Sequence, residues 1–424
     1  MFNKTKLQDG VHLYIRKTEQ FKTVNVTIKW KAPLDQQKAS ERTVLANVME
    51  NSTKQYPTMS SMRKALDELY GTVLFTDVSK RSSQHIVSLY TECVNDEFFA
   101  GEDIFKQLWQ LIRSVVFDPN VTNKAFDPDV TDREKRNVRD RIRSIYDDKT
   151  RFAQKRMLEI MRPNHPASIS AYGTEEAVSQ ITKESLYTTY EDMINNDLID
   201  IYVVGDVDEK YIIEQIKQFL PFTARDAEEQ LDLPEVKVSD SVNTIREQQD
   251  MKQGKLHLGF HTPVSFHHPD YHKMQITNGI FGGFAHSKLF MNVREKESMA
   301  YYANSAFASH YGIVYVTAGI DADLEEKAVK LILEQLTSLQ NGESTEVELN
   351  QTIALLENSI LSANDSARSQ IEIYDQYKEL DENFTADRLI EKWESVTLED
   401  IKDMANTVQL EIVYLLSGKE DVSE

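Results

Sequence analysis

The second half of this chain repeats the first, and that duplication limits what it can fold into. Val26-Thr-Ile-Lys-Trp-Lys-Ala-Pro33 alternates apolar and polar residues and stops at proline; Leu256-His-Leu-Gly-Phe-His-Thr-Pro263 has the same form. Near the far end of each half, Ile181-Thr-Lys-Glu-Ser-Leu followed by Asp200-Ile-Tyr-Val-Val-Gly205 resembles Val396-Thr-Leu-Glu-Asp-Ile followed by Glu411-Ile-Val-Tyr-Leu-Leu-Ser-Gly418. Each copy pairs a helix begun by a polar residue with an apolar strand that stops at glycine. Two homologous domains follow, in keeping with 424 residues, too many for one ordinary core. Pro221–Pro234 and the polar stretch after it have linker composition, so the expected division is 1–225, a linker over 226–247, and 248–424. Long helical patterns over Ala100–Val116 and Leu324–Leu339 are interspersed with strands without strict alternation. The expected class is α+β, each domain a mixed or antiparallel sheet with helices packed on one face.

Charge narrows the function. Lys and Arg number 48 against 69 Asp and Glu, a formal charge of −21 that repels phosphate backbones and anionic lipid. No nucleic acid and no membrane partner is expected. A single cysteine, Cys93, excludes an intrachain disulfide and fits a reducing compartment. The opening MFNKTKLQDGVHLYIRK has no apolar signal-type region and no run of 18 apolar residues occurs, so a cytoplasmic protein is expected.

Asn47-Val-Met-Glu-Asn51 falls where Val44, Leu45, Val48 and Met49 share one helical face, leaving Asn47, Glu50 and Asn51 together on the other. A metal site needs such a co-facial triplet, and an ordinary amphipathic surface helix needs it equally. The surroundings are more specific. Leu45-Ala-Asn-Val-Met-Glu-Asn-Ser-Thr-Lys-Gln-Tyr-Pro57 resembles the active-site helix and exit of the pitrilysin/insulinase metallopeptidases, whose inverted zinc motif is His-x-x-Glu-His. Leu69-Tyr-Gly71, His165-Pro166 followed by Tyr172-Gly-Thr-Glu-Glu176, and Gly282-Gly-Phe-Ala-His-Ser-Lys-Leu-Phe290 extend the resemblance over nearly the whole chain. It implies duplicated α+β halves arranged around a chamber, as in the mitochondrial processing peptidase subunits and small two-domain bacterial members.

Carried over by the resemblance, Asn47 and Asn51 stand at the zinc-histidine positions, Glu50 at the general-base position, and Arg141 at the third-ligand position of Glu134-Lys-Arg-Asn-Val-Arg-Asp-Arg141. Asparagine amides replace imidazole poorly for a borderline-soft ion, and a guanidinium adds positive charge. No metal is therefore expected here, and Glu50 is left idle. If the geometry persists, Glu50 and Arg141 face each other and form a hydrogen-bonded ion pair.

Arg294-Glu-Lys-Glu-Ser-Met-Ala-Tyr301 resembles the family's arginine/tyrosine pair in the second domain. Seven residues of helix advance about 10 Å and about two turns, so both side chains could meet one substrate. The arginine fork suits a carbonyl or carboxylate and the phenol an oxyanion. Tyr302, adjacent, competes for the second role. Without the resemblance the residues read as a solvated helix end followed by a core aromatic; Gly282-Gly283 and Ser287-Lys-Leu-Phe290 at the expected offset favour the functional reading.

Weaker signals remain. His267, His268 and His272 cluster, and helical spacing would put His268 and His272 on one face, although Pro269 favours a helix start with solvated histidines. Gly279, Gly282 and Gly283 form neither GxGxxG nor a phosphate loop. Trp30 reads as core.

The resemblance implies a catalytically inactive subunit that partners a zinc-bearing paralogue in processing a peptide substrate, with zinc only in the partner. Two alternatives stand beside it: a homodimeric peptide-binding or scaffold protein, and an active peptidase with a displaced metal site at His268 and His272. Bacterial relatives are also associated with an aminopentanol modification of elongation factor P, a pathway on which these residues are silent.

Overall fold

A computed structural model describes residues 1–98, 103–229, 232–238 and 241–419. They form two compact units, each discontinuous in sequence. One comprises Met1–Ser144, Ile169–Asp232 and Asn364–Glu379; the other Ile145–Ser168, Leu233–Ala363 and Leu380–Glu424.

Unit 1 is built on a six-stranded sheet, ordered β1-β2-β8-β3-β5-β4, of β1 (Asn3–Gln8), β2 (Val11–Lys17), β3 (Thr23–Pro33), β4 (Val73–Arg81), β5 (Gln84–Val94) and β8 (Leu198–Gly205). A small hairpin, β6 (Val121–Thr122) and β7 (Ala125–Phe126), stands apart. Only β2 and β8 pair in parallel. The long central strand β3 pairs antiparallel with β5 and β8. Period-two alternation gives the sheet two different faces. Val24, Val26, Ile28 and Trp30 of β3, Leu13 and Ile15 of β2, and Ile199, Ile201 and Val203 of β8 join one apolar cluster. Onto it pack α1 (Gln36–Asn51), through Val44, Leu45, Val48 and Met49, and α3 (Ile104–Phe117), through Leu108, Trp109, Ile112 and Val115. The start of the helical pattern expected at Ala100 lies outside the described residues. Also in unit 1 are α2 (Met59–Glu68), α6 (Glu175–Gln180), α7 (Lys183–Asn196) and α8 (Glu209–Phe219), and α4 (Pro128–Asp147) runs to its boundary. One close approach needs glycine: Gly173 has φ +73°, and a Cβ there would meet Ser40 Oγ at 1.8 Å.

Unit 2 carries a five-stranded sheet, ordered β11-β12-β10-β13-β9, of β9 (Asn243–Gln249), β10 (Gly254–His261), β11 (Tyr302–Ala308), β12 (Ile313–Ile320) and β13 (Gln409–Gly418). β9 is parallel to β13 and every other pairing is antiparallel. This is the unit 1 sheet without β1, with β9, β13, β10, β12 and β11 in the places of β2, β8, β3, β5 and β4. The expected α+β duplication is present. Strand β9 begins inside the 226–247 stretch read as linker, of which residues 230, 231, 239 and 240 lie outside the described residues.

Two helices depart from contiguous halves. Helix α5 (Lys149–Met161), from the first half of the chain, belongs to unit 2, and α12 (Ala367–Tyr377), from the second half, belongs to unit 1. Each covers the second face of its sheet. On unit 1 that face is charged: Lys31 Nζ lies 2.8 Å from Asp200, 3.0 Å from Asp375 and 2.7 Å from Glu229, and Lys29 Nζ lies 2.8 Å from both Asp375 and Glu372. Arg81 and Lys378 add ion pairs to Asp375, Glu379 and Asp200. Among the described residues no helix is long and apolar enough to cross a membrane. Cys93 is buried, its thiol pushed up to about 12 by desolvation.

Candidate functional site

Helix α1 starts where Asp35 accepts hydrogen bonds from Gln37 N and Lys38 N, and ends where Ser52 turns extended. The apolar stripe Val44, Leu45, Val48 and Met49 faces the core, so Asn47, Glu50 and Asn51 emerge together, half-buried. Glu50 Oε2 accepts from the backbone N–H of Thr76 at 2.7 Å and lies 2.9 Å from its hydroxyl. Thr76 sits on β4, the edge strand, and Glu50 thus satisfies an N–H that the sheet leaves unused. Burial raises the Glu50 carboxyl above its ordinary value; the Thr76 bonds oppose that shift, Glu134 adds to it and Arg141 opposes it.

The Asn51 amide donates to Asn47 O at 2.8 Å and reaches Glu134 Oε1 at 3.5 Å. Glu134, 1% exposed on α4, also accepts from Arg133 at 2.8 Å and Asn137 at 2.8 Å. Arg141 lies seven residues, about two turns, further along α4, its guanidinium 5.3 Å from the centre of the Tyr172 ring. The ion pair expected between Glu50 and Arg141 does not form. Thr76 already gives Glu50 two bonds at short range, and the guanidinium stacks on an aromatic face instead.

In unit 2, Arg294 lies on a wide helical segment, Leu289–Lys296, with its guanidinium 4.6 Å from the Phe290 ring and 3.6 Å from the Glu295 carboxylate. The helix stops there, Ser298 takes φ +50°, and Tyr301 leads into β11 with its N–H on Gly319 O at 2.8 Å. Arg294 and Tyr301 are therefore not on one helix, as a seven-residue helical spacing would have had them. Tyr301 is 63% exposed and its hydroxyl is 3.4 Å from Asp321. Tyr302 instead turns to Thr150, at 3.2 Å within the same unit.

Residues 180–356 match the peptidase M16 inactive domain family. Over 418 residues the chain is 35% identical to the probable inactive metalloprotease YmfF of Bacillus subtilis (strain 168), covering 98% of this chain and 97% of that one. The chain belongs to the M16, or pitrilysin, peptidase family. It is a non-catalytic member. A crystal structure of a conserved protein from Enterococcus faecalis V583 is similar throughout, with a TM-score of 0.93 and 31% identity over 99% of each chain. The uncharacterized zinc protease YmxG of Bacillus subtilis is 23% identical over 286 residues, 67% of this chain and 69% of that one.

The α1 constellation does not fit the zinc ion of active M16 enzymes. The Asn51 amide nitrogen is committed as a donor, Arg141, which the resemblance sets at the third position, is a guanidinium, and neither group resembles imidazole or carboxylate in its donor chemistry. Among the described residues no group of three or more His, Cys, Asp or Glu has the arrangement of a metal site. The alternative at His268 and His272 lacks its geometry. His268 precedes the helix α9 (Tyr271–Asn278) and its Nδ1 accepts from Asp270 N, so the shared helical face is never made.

Sequence reasoning missed Thr76, whose only signal was its place in a strand after the active-site-like helix. It also missed the charged face of unit 1. Lys29 and Lys31 read as the solvent side of a half-buried strand, yet they are 1% and 2% exposed. The available signal was Asp200 and Tyr202 alternating with Ile199 and Ile201 in a strand otherwise fully apolar.

Proposed function

We propose that this M16 homologue is the inactive subunit of a cytoplasmic peptide-processing complex, pairing with a zinc-bearing paralogue and supplying chamber wall and substrate grip. The observation that carries the reading is selective loss. The three metal-ligand positions hold Asn47, Asn51 and Arg141, while Glu50, Arg294 and Tyr301 keep the family's residue types. Exposure of Arg294 and Tyr301 supports a role toward something outside the fold, since neither side chain is spent on the core. The likeness to a protein named a zinc protease supports the availability of paralogues with intact motifs.

The test is to mix the chain with a zinc-bearing M16 paralogue from the same genome and follow complex size and cleavage of an unstructured peptide. Activity is expected only in the mixture. Tyr301→Phe then lowers turnover by about 10²-fold with little change in substrate binding, the effect of losing one oxyanion donor, whereas Arg294→Ala chiefly weakens peptide binding. Full activity in both variants removes the pair from the reading. Absence of any complex, with peptide binding by a homodimer, replaces the reading with a scaffold.

A further inference from the structure

An edge strand offers its unpaired N–H and C=O groups to any extended chain that comes alongside. Strand β4 is such an edge in unit 1, and β11 stands in its place in unit 2. In the antiparallel β4–β5 ladder every second residue of β4 turns its N–H away from β5, and Thr76 and Val78 belong to that set. Both of these N–H groups are taken by carboxylates. Glu50 Oε2 accepts from Thr76 N at 2.7 Å, and Asp77 Oδ1 accepts from Val78 N at 2.9 Å. Among the described residues no side chain accepts from an N–H of β11, so capping of this kind is particular to β4 and not common to both edges.

The two caps reach the strand from opposite faces. Leu74 and Val78 join the apolar cluster that also holds Val48 and Met49, which brings the last turns of α1 against β4. The Thr76 hydroxyl, 3.0 Å from Ala46 O and 2.9 Å from Glu50, fixes the register of helix on strand. Glu50 therefore arrives from the core side, half-buried. Asp77 is the next residue along, so its side chain leaves from the other face, where the Arg368 guanidinium stands 3.8 Å from its second oxygen. Residues 76 and 78 are about 7 Å apart along the strand, the repeat at which a pairing chain needs its donors.

The geometry points to a closed edge: Glu50 and Asp77 bar an extended peptide from adding to the unit 1 sheet along β4. Glu50, without a metal to serve, keeps a use as the plug of that edge. To pair there, a peptide carbonyl displaces a carboxylate from each N–H and leaves it without that donor. A hydrogen bond to a charged acceptor exceeds one to a neutral carbonyl by about tenfold in an equilibrium, so the two caps together oppose pairing by about a hundredfold. The closure belongs to the chain alone and needs no partner subunit. A peptide held by a complex containing this chain is gripped elsewhere than on β4.

The test uses the full chain, isotope-labelled at threonine and valine amides, and a blocked fluorescent peptide of alternating valine and threonine. The control is the same peptide N-methylated at alternate residues, which removes its main-chain donors. Combined Glu50→Ala and Asp77→Ala is expected to bind the peptide about a hundredfold more tightly than the native chain does, to shift the Thr76 and Val78 amide signals on binding, and to ignore the methylated control. Glu50→Gln is neutral but still an acceptor, so with Asp77 intact its gain is at most about tenfold. Hydrogen exchange without peptide reads the caps directly: Glu50→Ala speeds exchange at Thr76 and spares Val78, and Asp77→Ala does the reverse. Melting curves confirm that the variants fold. No gain in the double variant, binding that leaves Thr76 and Val78 unmoved, equal binding of the methylated control, or exchange rates indifferent to both substitutions overturns the proposal.

Discussion

Removal of Asp375 is the sharpest test of how unit 1 holds its second helix. Its side chain is fully buried on α12. Oδ1 lies 2.6 Å from the Tyr202 hydroxyl, 3.0 Å from Lys31 and 3.4 Å from Lys378; Oδ2 lies 2.8 Å from Lys29 and 2.9 Å from Arg81. Asp375→Ala leaves these cations short of a carboxylate in a place water does not reach. Each keeps another partner: Glu372 for Lys29, Asp200 and Glu229 for Lys31, Glu379 for Arg81. The loss thus falls at the lower end of the range for breaking a buried ion pair, about 3 kcal/mol. With a urea slope of about 2 kcal/mol per molar, the unfolding midpoint moves by about 1.5 M. Trp30 and Trp109, both fully buried in unit 1, report the transition by fluorescence. Asp375→Asn keeps the shape, so its difference from Ala separates charge from packing. The pH dependence has a definite sign. Burial alone would raise the Asp375 carboxyl, but Arg81, Lys29, Lys31 and Lys378 outweigh it and hold it well below the usual carboxylate range; Lys31 and Lys378 do the same for Asp200. A depressed acid contributes stability above its unfolded value, about pH 4, and loses it as pH falls through the lower folded value. The native chain must lose more stability between pH 4 and pH 2 than Asp375→Ala does. A loss under about 1 kcal/mol, the size of a surface pair, or equal acid sensitivity, would refute the reasoning.

Two further outcomes concern α1. Protein purified without a nickel column is expected to hold far less than one zinc per chain; near-stoichiometric zinc, lost on Asn47→Ala, would sink the assignment of Asn47 and Asn51 as failed ligands. Burial holds the Glu50 carboxyl up, so the native chain loses stability as pH rises from the unfolded value toward neutral, whereas Glu50→Gln escapes that loss and can keep the Thr76 N–H bond. Melting temperatures should favour Gln at pH 7 and show no advantage below about pH 4; the reverse order contradicts the assignment.

What the sequence disclosed depended on whether a signal was local. The paired strands ending at Pro33 and Pro263 announced the duplication because alternation is written in consecutive residues. The co-facial placement of Asn47, Glu50 and Asn51 followed from helical geometry alone. The partners of those residues were not legible: Thr76 reaches Glu50 from a strand 26 positions away, and Tyr172 competes for Arg141 from beyond another helix. Spacing also failed where the backbone left its regular form, since Ser298 in a left-handed conformation takes Tyr301 off the helix of Arg294. The crossing of α5 and α12 between units was invisible for the same reason. Amphipathicity states that a helix has a face to bury and does not state which sheet receives it.

The two crossing helices meet chemically opposite surfaces, and this difference has a testable cost. Helix α12 meets lysines and an arginine, whereas α5 meets an apolar seam of Ala153 and Met157 against Ile412, Tyr414 and Leu416. Gly259 on β10 makes room for it. A Cβ there would stand 2.7 Å from Ile412 Cγ2 and 2.8 Å from Met161 Sδ. Either helix on the other's sheet would bury charge without its partner, on one side Asp375 against Ile412, Tyr414 and Leu416, on the other Lys29 without Asp375 and Glu372. The apolar seam depends instead on fit. Gly259→Ala is expected to overpack it by about 1–3 kcal/mol and to expose Arg151, Lys155 and Arg156 of α5 to trypsin under native conditions. Met161→Ala in the same chain removes one of the two closest contacts of the new methyl and should restore part of the protection. Unchanged cleavage in Gly259→Ala, or no rescue by the second substitution, would mean that α5 is held by its ends and not by this contact.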